Sequence, residues 1–345
     1  MNEVPQTPLR RPTIIDVARL AGVSPATVSN ALSGKRRVEP ATRERIEQAI
    51  RDLGYRPNTA AQSIRTGRTN LIAVVSSMPV TISGGASRQG FFMEIASAAA
   101  TFALEHDLSL VLVPPAARPE QALAHVAVDG ALILEPQRED AFLAALRARG
   151  VPVICIGQSF DPALPYVDLD YRRIARLLID HLFARGARRF PLIVGAEHRM
   201  SHAVMREIYE QRAAERGMTP HVIHIEEACG EDGGYHAAHR AMRLDPDLDA
   251  VLVPVDTFAT GAMRGLRELG KRVPDDVMVA TRYDGWRARM EKPPLTAIDP
   301  HLDEIADIAT RWLASLIGGT GGQPPTVAAS PPELIPRAST RASEG

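Results

Sequence analysis

Residues 13–33 constrain this chain more than any other stretch, because they have the pattern of two short helices joined by a tight turn. Apolar residues recur at the spacing of one helical face, at Ile14, Val17, Ala18 and Ala21. Thr13 suits an N-cap with Asp16 three residues on, and Gly22 is a stop signal. Ser24 and Pro25 then suit the start of a second helix. The spacing predicts a helix-turn-helix, which places one helix in the major groove of DNA.

The second predicted helix has a polar outer face. Its expected inward residues are Val28, Ala31 and Leu32, and its expected outward residues are Pro25, Ala26, Ser29, Asn30 and Ser33. An Asn amide can pair with an adenine edge, and hydroxyls can bind phosphates. A basic loop that suits backbone phosphates follows, with Lys35, Arg36 and Arg37. A third helix, with Ile46, Ala49, Ile50 and Leu53 inside, completes a small core. This spacing alone leaves open a generic three-helix bundle with a solvated face.

The charge is distributed unevenly. Residues 1–69 contain 12 Lys and Arg against 6 Asp and Glu, whereas the remainder contains 28 against 35, although the whole chain has a net charge of -1. A basic head on an acidic body favours a polyanion as the partner of the head.

Composition excludes other classes. No apolar run approaches the ~18 residues of a transmembrane helix, and Arg10-Arg11 lacks the apolar stretch of an export signal. The two cysteines, Cys155 and Cys229, lie far apart in the chain and suit a reducing compartment. We therefore expect a cytoplasmic, nucleoid-associated protein without a membrane partner.

Residues 69–340 alternate short apolar runs with amphipathic segments, which predicts parallel sheets flanked by helices in an α/β body. Strands are predicted at 71–76, 109–113, 131–134, 151–156, 190–194, 222–225, 250–255 and 277–281. Helices are predicted at 90–106, 138–149, 171–185, 203–217, 233–243, 257–269 and 302–317. A break near residue 165 indicates two sheets and two lobes.

The head resembles the lactose-repressor (LacI/GalR) family of bacterial transcription regulators. The shared motifs are D-V-A-x-x-A-G-V-S-x-x-T-V-S-x-x-L from Asp16 to Leu32, T-R-E-R-I at 42–46 and G-Y-R-P-N at 54–58. The resemblance implies that Pro25, Ala26 and Asn30 read bases, and that Thr27 and Ser29 contact phosphates. It adds Thr13, Ser24, Tyr55, Asn58 and Ala61 to the DNA-contacting set.

Residues 58–64 match the family's hinge, which folds into a short helix on DNA and wedges into the minor groove. Ile64 stands where the family usually has Leu, and Gln62 where most relatives have Arg. An Ile can still unstack a base step, but its β-branch is stiffer. Taken alone, residues 58–68 also suit a plain flexible linker.

The body extends the resemblance to the end of the chain. The matching segments are V-D-L-D at 167–170, R-G-A-R-R-F at 185–190, Asp256 with Ala259 and Gly261, P-P-L-T at 293–296 and P-E-L-I-P-R-A-S-T at 332–340. They imply a periplasmic-binding-protein-like core with a ligand cleft and a dimer surface. The implied divisions are a flexible N-terminus at 1–12, a helix-turn-helix domain at 13–57, a hinge or linker at 58–68, a core at 69–340 and a tail at 341–345. Within the core we expect an N-lobe of about 69–166 plus 298–322, and a C-lobe of about 167–295 plus 323–340.

Ligand clefts lie at the carboxyl ends of parallel strands. That rule selects Ser77, Met78, Gln158, Asp256, Arg282 and Tyr283. Phe92, with Phe91, begins a helix at the expected rim and suits either ligand stacking or the core. The resemblance places Met205, with Arg206 beside it, where sugar-binding relatives carry Arg, and Ile208 where they carry Gly. Asp256 alternatively caps the next helix, and Arg282 alternatively forms an ion pair with Asp284 or another lobe residue.

Other constellations are weaker. A cluster with no dedicated metal spacing contains His221, His224, Cys229, His236 and His239. Ser201 and His202 are adjacent on a predicted helix, so they do not face each other as a nucleophile and base would. Residues 318–322 lack the Lys of a phosphate loop. We expect no metal, no cofactor and no catalysis.

The sequence therefore predicts a regulator, specifically a repressor, that binds a pseudo-palindromic double-stranded operator as a homodimer. A sugar or sugar-derived effector in the cleft would control it. Two alternatives stay open: a ligand-binding or sugar-active protein of the same fold, and an architectural DNA-binding protein with an empty cleft.

Overall fold

A computed structural model describes residues 12–33, 36–56, 67–83, 90–114, 118–196, 198–320 and 326–340. The chain divides into two compact units, Met1–Thr69 and Asn70–Gly345, called the head and the body below. Several sequence predictions lie outside the described residues: Lys35, Asn58, Ala61, Ile64, the side chain of Ser33 and most of the hinge.

The described residues of the head form three helices, α1 (Ile14–Ala21), α2 (Pro25–Ser33) and α3 (Pro40–Leu53). The predicted caps of the first two are confirmed. The Thr13 N–H donates to the Asp16 carboxylate at 2.9 Å, and Gly22 ends α1 in the left-handed conformation with φ 65°. The Thr27 N–H donates to Ser24 Oγ at 3.1 Å. These local bonds satisfy the orphan donors that a helix start exposes and so fix the angle of the turn.

The core of the head is small. Its buried members are Val17, Ala18, Ala21, Val28, Ala31, Ile46 and Ala49. The expectation that Leu32 faces inward is wrong, because its side chain is 42% exposed. Three short helices cover only the stripe of α2 that runs through Val28 and Ala31, and the covered surface ends before Leu32.

The body is built from alternating strands and helices, as the sequence predicts. Its strands are β1 (Leu71–Val75), β2 (Ser109–Val113), β3 (Gly130–Leu134), β4 (Val153–Ile156), β5 (Tyr166–Asp168), β6 (Leu192–Gly195), β7 (Val222–Ile225), β8 (Ala250–Leu252), β9 (Met278–Ala280), β10 (Ala297–Asp299), β11 (Thr326–Ala328) and β12 (Glu333–Ile335). Its α-helices are α4 (Val80–Ser83), α5 (Phe91–Glu105), α6 (Pro119–Ala124), α7 (Ala141–Ala148), α8 (Tyr171–Ala184), α9 (Met200–Glu215), α10 (Gly230–Leu244), α11 (Asp256–Glu268), α12 (Trp286–Met290) and α13 (Leu302–Gly318). A 3-10 turn spans Glu227–Cys229.

Two parallel sheets form the two lobes. The N-lobe sheet has the order β11-β5-β4-β3-β1-β2, and the C-lobe sheet has the order β7-β6-β8-β9. An antiparallel pair, β10 with β12, stands apart from both. Most central strands are fully buried because helices cover both faces, which explains their continuous apolar runs.

The predicted lobe boundaries need one correction. Residues 326–328 and 167–168 were assigned to the C-lobe, but Thr326–Ala328 pairs with Tyr166–Asp168 at the edge of the N-lobe sheet. Helix α13 also packs on N-lobe elements, as the sequence predicts for 298–322. The chain therefore crosses between lobes after β5, after β10 and between β11 and β12.

Periodicity misses the shortest elements. It does not reveal β5, β10, β11 or the helices α4, α6 and α12, which are three to six residues long. A segment of that length has too few positions for a period to show. Within the described residues, no helix is both long enough and apolar enough to cross a membrane.

Candidate functional site

The outward side of α2 exposes the residues that the sequence predicts for base reading. Pro25 and Ala26 are exposed, and Asn30 is half-buried on the same helix. The Asn30 amide makes no hydrogen bond to any residue that the structure describes. A free amide on an exposed helix face can donate to and accept from a base edge.

The remaining predicted DNA contacts surround this face. Ser24, Arg36 and Arg37 are exposed, whereas Thr13, Thr27, Ser29 and Tyr55 are half-buried. The two arginines form no ion pair within the described part of the chain, so their charge is available to phosphates. Thr27 Oγ1 lies 2.8 Å from Ser24 Oγ, and Tyr55 packs against the core of the head. These contacts hold the hydroxyls and the ring in place at the edge of α2.

A second constellation lies in the body, where strands of both lobes end at one cleft. The lining residues are Met78, Ile82, Phe91, Phe92, Glu135, Arg199, His202, Glu227, Pro254, Val255, Asp256, Arg282 and Tyr283. Five of the predicted effector residues are among them: Met78, Phe92, Asp256, Arg282 and Tyr283. Ser77 lies beside this set, because its hydroxyl accepts a hydrogen bond from Arg199 at 3.2 Å.

Arg282 and Glu135 join the two lobes across this cleft. The guanidinium follows β9 of the C-lobe and donates to both oxygens of Glu135, which follows β3 of the N-lobe, at 2.8 and 3.0 Å. The two side chains are 13% and 2% exposed. Burial is the strongest single influence and acts to raise the pKa of the Glu135 carboxyl, but the charge and hydrogen bonds of Arg282, together with His202 and Arg199, lower the pKa on balance. The pair is thus ionised, and the ion pair that the sequence left open for Arg282 exists with the opposite lobe.

Arg199 forms the other charged contact of the cleft. It stands at the N-cap of α9 with a side chain only 1% exposed. Its Nε and Nη2 donate to the Glu227 carboxylate at 2.7 and 2.9 Å. Its Nη1 donates to the main-chain oxygen of Glu135 as well as to Ser77. One guanidinium therefore contacts a carboxylate of its own lobe and two oxygens of the other.

Asp256 and His202 supply the titratable groups beside these pairs. Burial raises the pKa of Asp256 and lowers the pKa of His202. The Thr257 N–H donates to Asp256 Oδ1 at 2.7 Å. Asp256 Oδ2 is buried, lacks a hydrogen-bond partner among the described residues and lines the cavity. Asp256 thus binds local backbone with one oxygen and leaves the other for a donor in the cleft.

Aromatic side chains form the apolar wall. Tyr283 packs edge-to-face on Phe91 with ring centroids 5.7 Å apart, and the buried Phe92 also belongs to the large hydrophobic core of the body. The space left between the lining residues is about 30 Å³. That is room for a few water molecules and far below the ~300 Å³ of a typical ligand pocket.

Besides Ser77, three predicted effector residues do not line this cavity. Gln158 follows Gly157, whose surroundings are filled by the Tyr171 hydroxyl, 1.9 Å from where a Cβ would stand. Met205 is 2% exposed and belongs to the hydrophobic core, and Arg206 lies 3.8 Å from Glu210 in an ion pair. Because a helix rises 1.5 Å per residue, Met205 lies about 9 Å further along α9 than Arg199, beyond the cleft.

Sequence reasoning missed Glu135, Arg199 and Glu227. Glu135 directly follows a predicted buried strand, so the strand-end rule that selected Asp256 selects it equally. Arg199 immediately precedes an amphipathic helix, a signal that the family alignment at Met205 obscured. Among the described residues, no group of three His, Cys, Asp or Glu side chains is arranged to hold a metal ion.

Two protein-family models match this chain, one in the head and one in the body. Residues 13–58 match the family model "Bacterial regulatory proteins, lacI family", and residues 179–340 match "Periplasmic binding protein-like domain". The chain is 31% identical over 335 residues to the HTH-type transcriptional regulator CelR of Thermobifida fusca, covering 91% of this chain and 94% of CelR. It is 33% identical over 343 residues to the regulator AglR of Rhizobium meliloti, covering 94% and 93%.

A solved structure supports the same fold. The complex of the transcriptional regulator CelR with cellobiose superposes with a TM-score of 0.71 at 29% identity, covering 95% of this chain and 100% of that one. Both named relatives are transcriptional regulators rather than enzymes.

Proposed function

Because this chain belongs to the LacI family of bacterial DNA-binding transcriptional regulators, we propose that it is a repressor that grips a pseudo-palindromic operator as a homodimer. A sugar or sugar-derived effector in the cleft of the body controls operator binding. The observation that carries the proposal is the outward face of α2, where Pro25 and Ala26 are exposed beside an Asn30 amide that makes no hydrogen bond to any described residue. The protein acts on the chromosome and hence in the cytoplasm.

DNA binding follows from shape and charge together. The turn between α1 and α2 is fixed by the Ser24 cap and by Gly22, so α2 is presented rigidly. Arg36 and Arg37 follow α2 and supply cations for the phosphates beside the groove. Base contacts then specify the sequence, and phosphate contacts set the register.

The homodimer is supported by an exposed apolar surface on the N-lobe. Strand β2 is the edge of its sheet, and Leu112 on it is 39% exposed. Leu104, near the end of α5, is 70% exposed. A sheet edge with apolar side chains is a ready surface for a second copy. Two copies related by a two-fold axis place two heads on an inverted repeat.

The effector proposal rests on the convergence of polar groups from both lobes. Asp256, Arg199 and Arg282 meet an aromatic wall there, which is the composition of a site for a small polar ligand. The CelR relative has been solved with the sugar cellobiose. The small volume of the cavity favours a second candidate, an architectural DNA-binding protein whose cleft stays empty.

Two experiments test these proposals. Selection of random duplexes by the purified full-length protein should enrich an inverted repeat, and no enrichment under any ligand would contradict operator recognition. Thermal-shift screening against sugars, sugar acids and sugar phosphates should find a stabilising ligand, since a hundredfold excess over Kd adds ~2.7 kcal/mol. No stabilisation across the panel would favour the empty cleft.

A further inference from the structure

The two lobes hold each other through charged groups inside the cleft. Arg282 of the C-lobe binds the carboxylate of Glu135 in the N-lobe at 2.8 and 3.0 Å. Arg199 adds hydrogen bonds to Ser77 and to the main chain of Glu135. Contacts between the protein's own charged groups therefore join the two lobes across the cleft.

The two arginines differ in what they would keep if the lobes separated. Arg199 is bound to Glu227, which follows β7 in its own lobe, and this pair survives separation. The Arg282 guanidinium makes its hydrogen bonds, within the described part of the chain, to Glu135 alone. Separation would take the hydrogen-bonded Glu135 carboxylate away from Arg282 and leave the guanidinium facing an open cleft that Asp256 also lines.

An anion cannot enter the cleft as it stands. The space is about 30 Å³, and the carboxylates of Glu135 and Glu227 already pair with the two guanidinium groups. A guanidinium binds a carboxylate or phosphate most strongly as a bidentate pair, the geometry that Glu135 already occupies. Such a ligand must therefore take the place of Glu135.

We propose that Glu135 is a built-in counter-ion that keeps the lobes closed in the ligand-free protein, and that the effector is a small oxyanion, carrying a carboxylate or a phosphate, that competes with Glu135 for Arg282. The inference rests on the proposed function, in which the cleft holds the effector. An oxyanion bound to Arg282 faces the N-lobe that Glu135 belongs to, so binding favours separated lobes. Glu135 then determines that the ligand is an anion, and it keeps the cleft closed until that ligand binds.

Titration of two simple probes tests the proposal directly. Inorganic phosphate and acetate are titrated into full-length wild-type protein and the E135Q variant by calorimetry, with chloride holding ionic strength constant. Because E135Q removes the competing charge but keeps the shape, at least one probe should bind at least tenfold more tightly to E135Q. The gain should vanish in the E135Q/R282Q double variant. The probe with the larger gain identifies a carboxylate or a phosphate as the effector's anionic group.

A matched control separates this effect from a general change of charge. Glu207 forms an equally regular bidentate pair with Arg172, at 2.9 Å for both bonds, but on the exposed surface of the C-lobe. E207Q should bind both probes as the wild type does. Equal or weaker binding of both probes by E135Q, or a gain that E207Q shares, would overturn the proposal.

A second measurement uses only the wild-type protein, so its result does not depend on whether a variant folds. Hydrogen exchange of the wild type is followed over residues 134–136 and 281–284, which carry the closing pair, in phosphate or acetate and in chloride. We expect faster exchange there with at least one oxyanion, because the lobes separate. Protection of these residues by both oxyanions would contradict the proposal. Operator affinity is measured separately. If E135Q binds a probe more tightly but no ligand alters operator binding, the proposed role of Glu135 as a counter-ion is supported and the proposed control of DNA binding by an effector is contradicted.

Discussion

Gly261 of α11 lies directly against the main-chain oxygen of Glu231 in α10: a Cβ built on Gly261 would stand 1.9 Å from that oxygen. Gly234 of α10 faces the Phe258 carbonyl of α11 in the same way, at 2.0 Å. The two helices thus pack backbone to backbone, which explains why helix α11 carries a glycine at position 261.

Replacing Gly261 with alanine should therefore force the helices apart. We expect G261A to lower the free energy of unfolding by about 3 kcal/mol, the upper end of the usual cost of overpacking. Urea denaturation of the isolated variant measures it. G318A is the control, because its Cβ would meet only Thr320 Oγ1, at 3.7 Å, and its stability should change by less than ~1 kcal/mol. Equal stability of both variants would contradict this packing.

The buried pair of Arg199 and Glu227 makes a second prediction. Arg199 is 1% exposed, so neutralising its partner leaves a buried cation without a counter-charge. E227Q should lose about 3 kcal/mol of unfolding free energy. E207Q removes a carboxylate from the exposed pair with Arg172 and should lose less than ~1 kcal/mol. Equal losses in the two variants, measured by urea denaturation, would mean that burial of Arg199 does not matter.

His181 predicts how stability changes in acid. It is buried with Nε2 2.9 Å from Thr340 Oγ1, and burial, with the charge of Arg185, lowers its pKa from 6.5 to about 4. His181 of the unfolded chain binds a proton below pH 6.5, whereas His181 of the folded protein stays neutral down to about pH 4. The stability from neutral His181 is therefore present above pH 6.5 and is lost as the pH falls toward 4.

The variant H181Q isolates this contribution, because glutamine does not titrate and can still reach Thr340. Between pH 7 and 4.5 the wild type should lose about 2 kcal/mol more unfolding free energy than H181Q. Parallel losses of the two proteins over that range would show that His181 is not kept neutral by burial.

The loop after α2 predicts a salt dependence. Arg36 and Arg37 are exposed, and each phosphate neutralised contributes about -0.9 to the log–log slope of affinity against salt. The double variant R36Q/R37Q should make the slope shallower by about 1.8, and it should weaken binding to all DNA sequences by the same factor. R188Q, which removes an exposed arginine of the body, serves as the control and should leave the slope unchanged. An unchanged slope in R36Q/R37Q would remove these residues from the interface.

The sequence predicts the architecture well because its signals are local. Helix caps such as Thr13 with Asp16, and buried runs such as 71–76, depend on neighbouring residues alone. The edge strand β11 forms by pairing with β5, about 160 positions earlier in the chain, and both strands are only three residues long, so neither segment shows a period of its own. Leu32 follows the same logic: its position in the helical period is correct, but the three described helices leave it 42% exposed.

The candidate site is predicted less completely for a related reason. Rules about strand ends place Met78, Asp256 and Arg282 at the cleft, because topology alone brings these ends together. Which arginine reaches the cleft from α9 depends on where that helix begins, and family alignment selected Met205 instead of Arg199. Arg282 and Glu135 belong to different lobes, so the sequence around either residue does not indicate that the two side chains pair.

We propose that the exposed side of α2 reads bases, with Asn30 as a specific contact. It is tested most directly by measuring the affinity of wild type and N30A for the selected operator and for each single-base variant of it. We predict that N30A loses ~1–3 kcal/mol of preference at one base pair of each half-site and keeps its preference elsewhere. A uniform loss across all variants would show that Asn30 only positions the backbone and would contradict base reading by this residue.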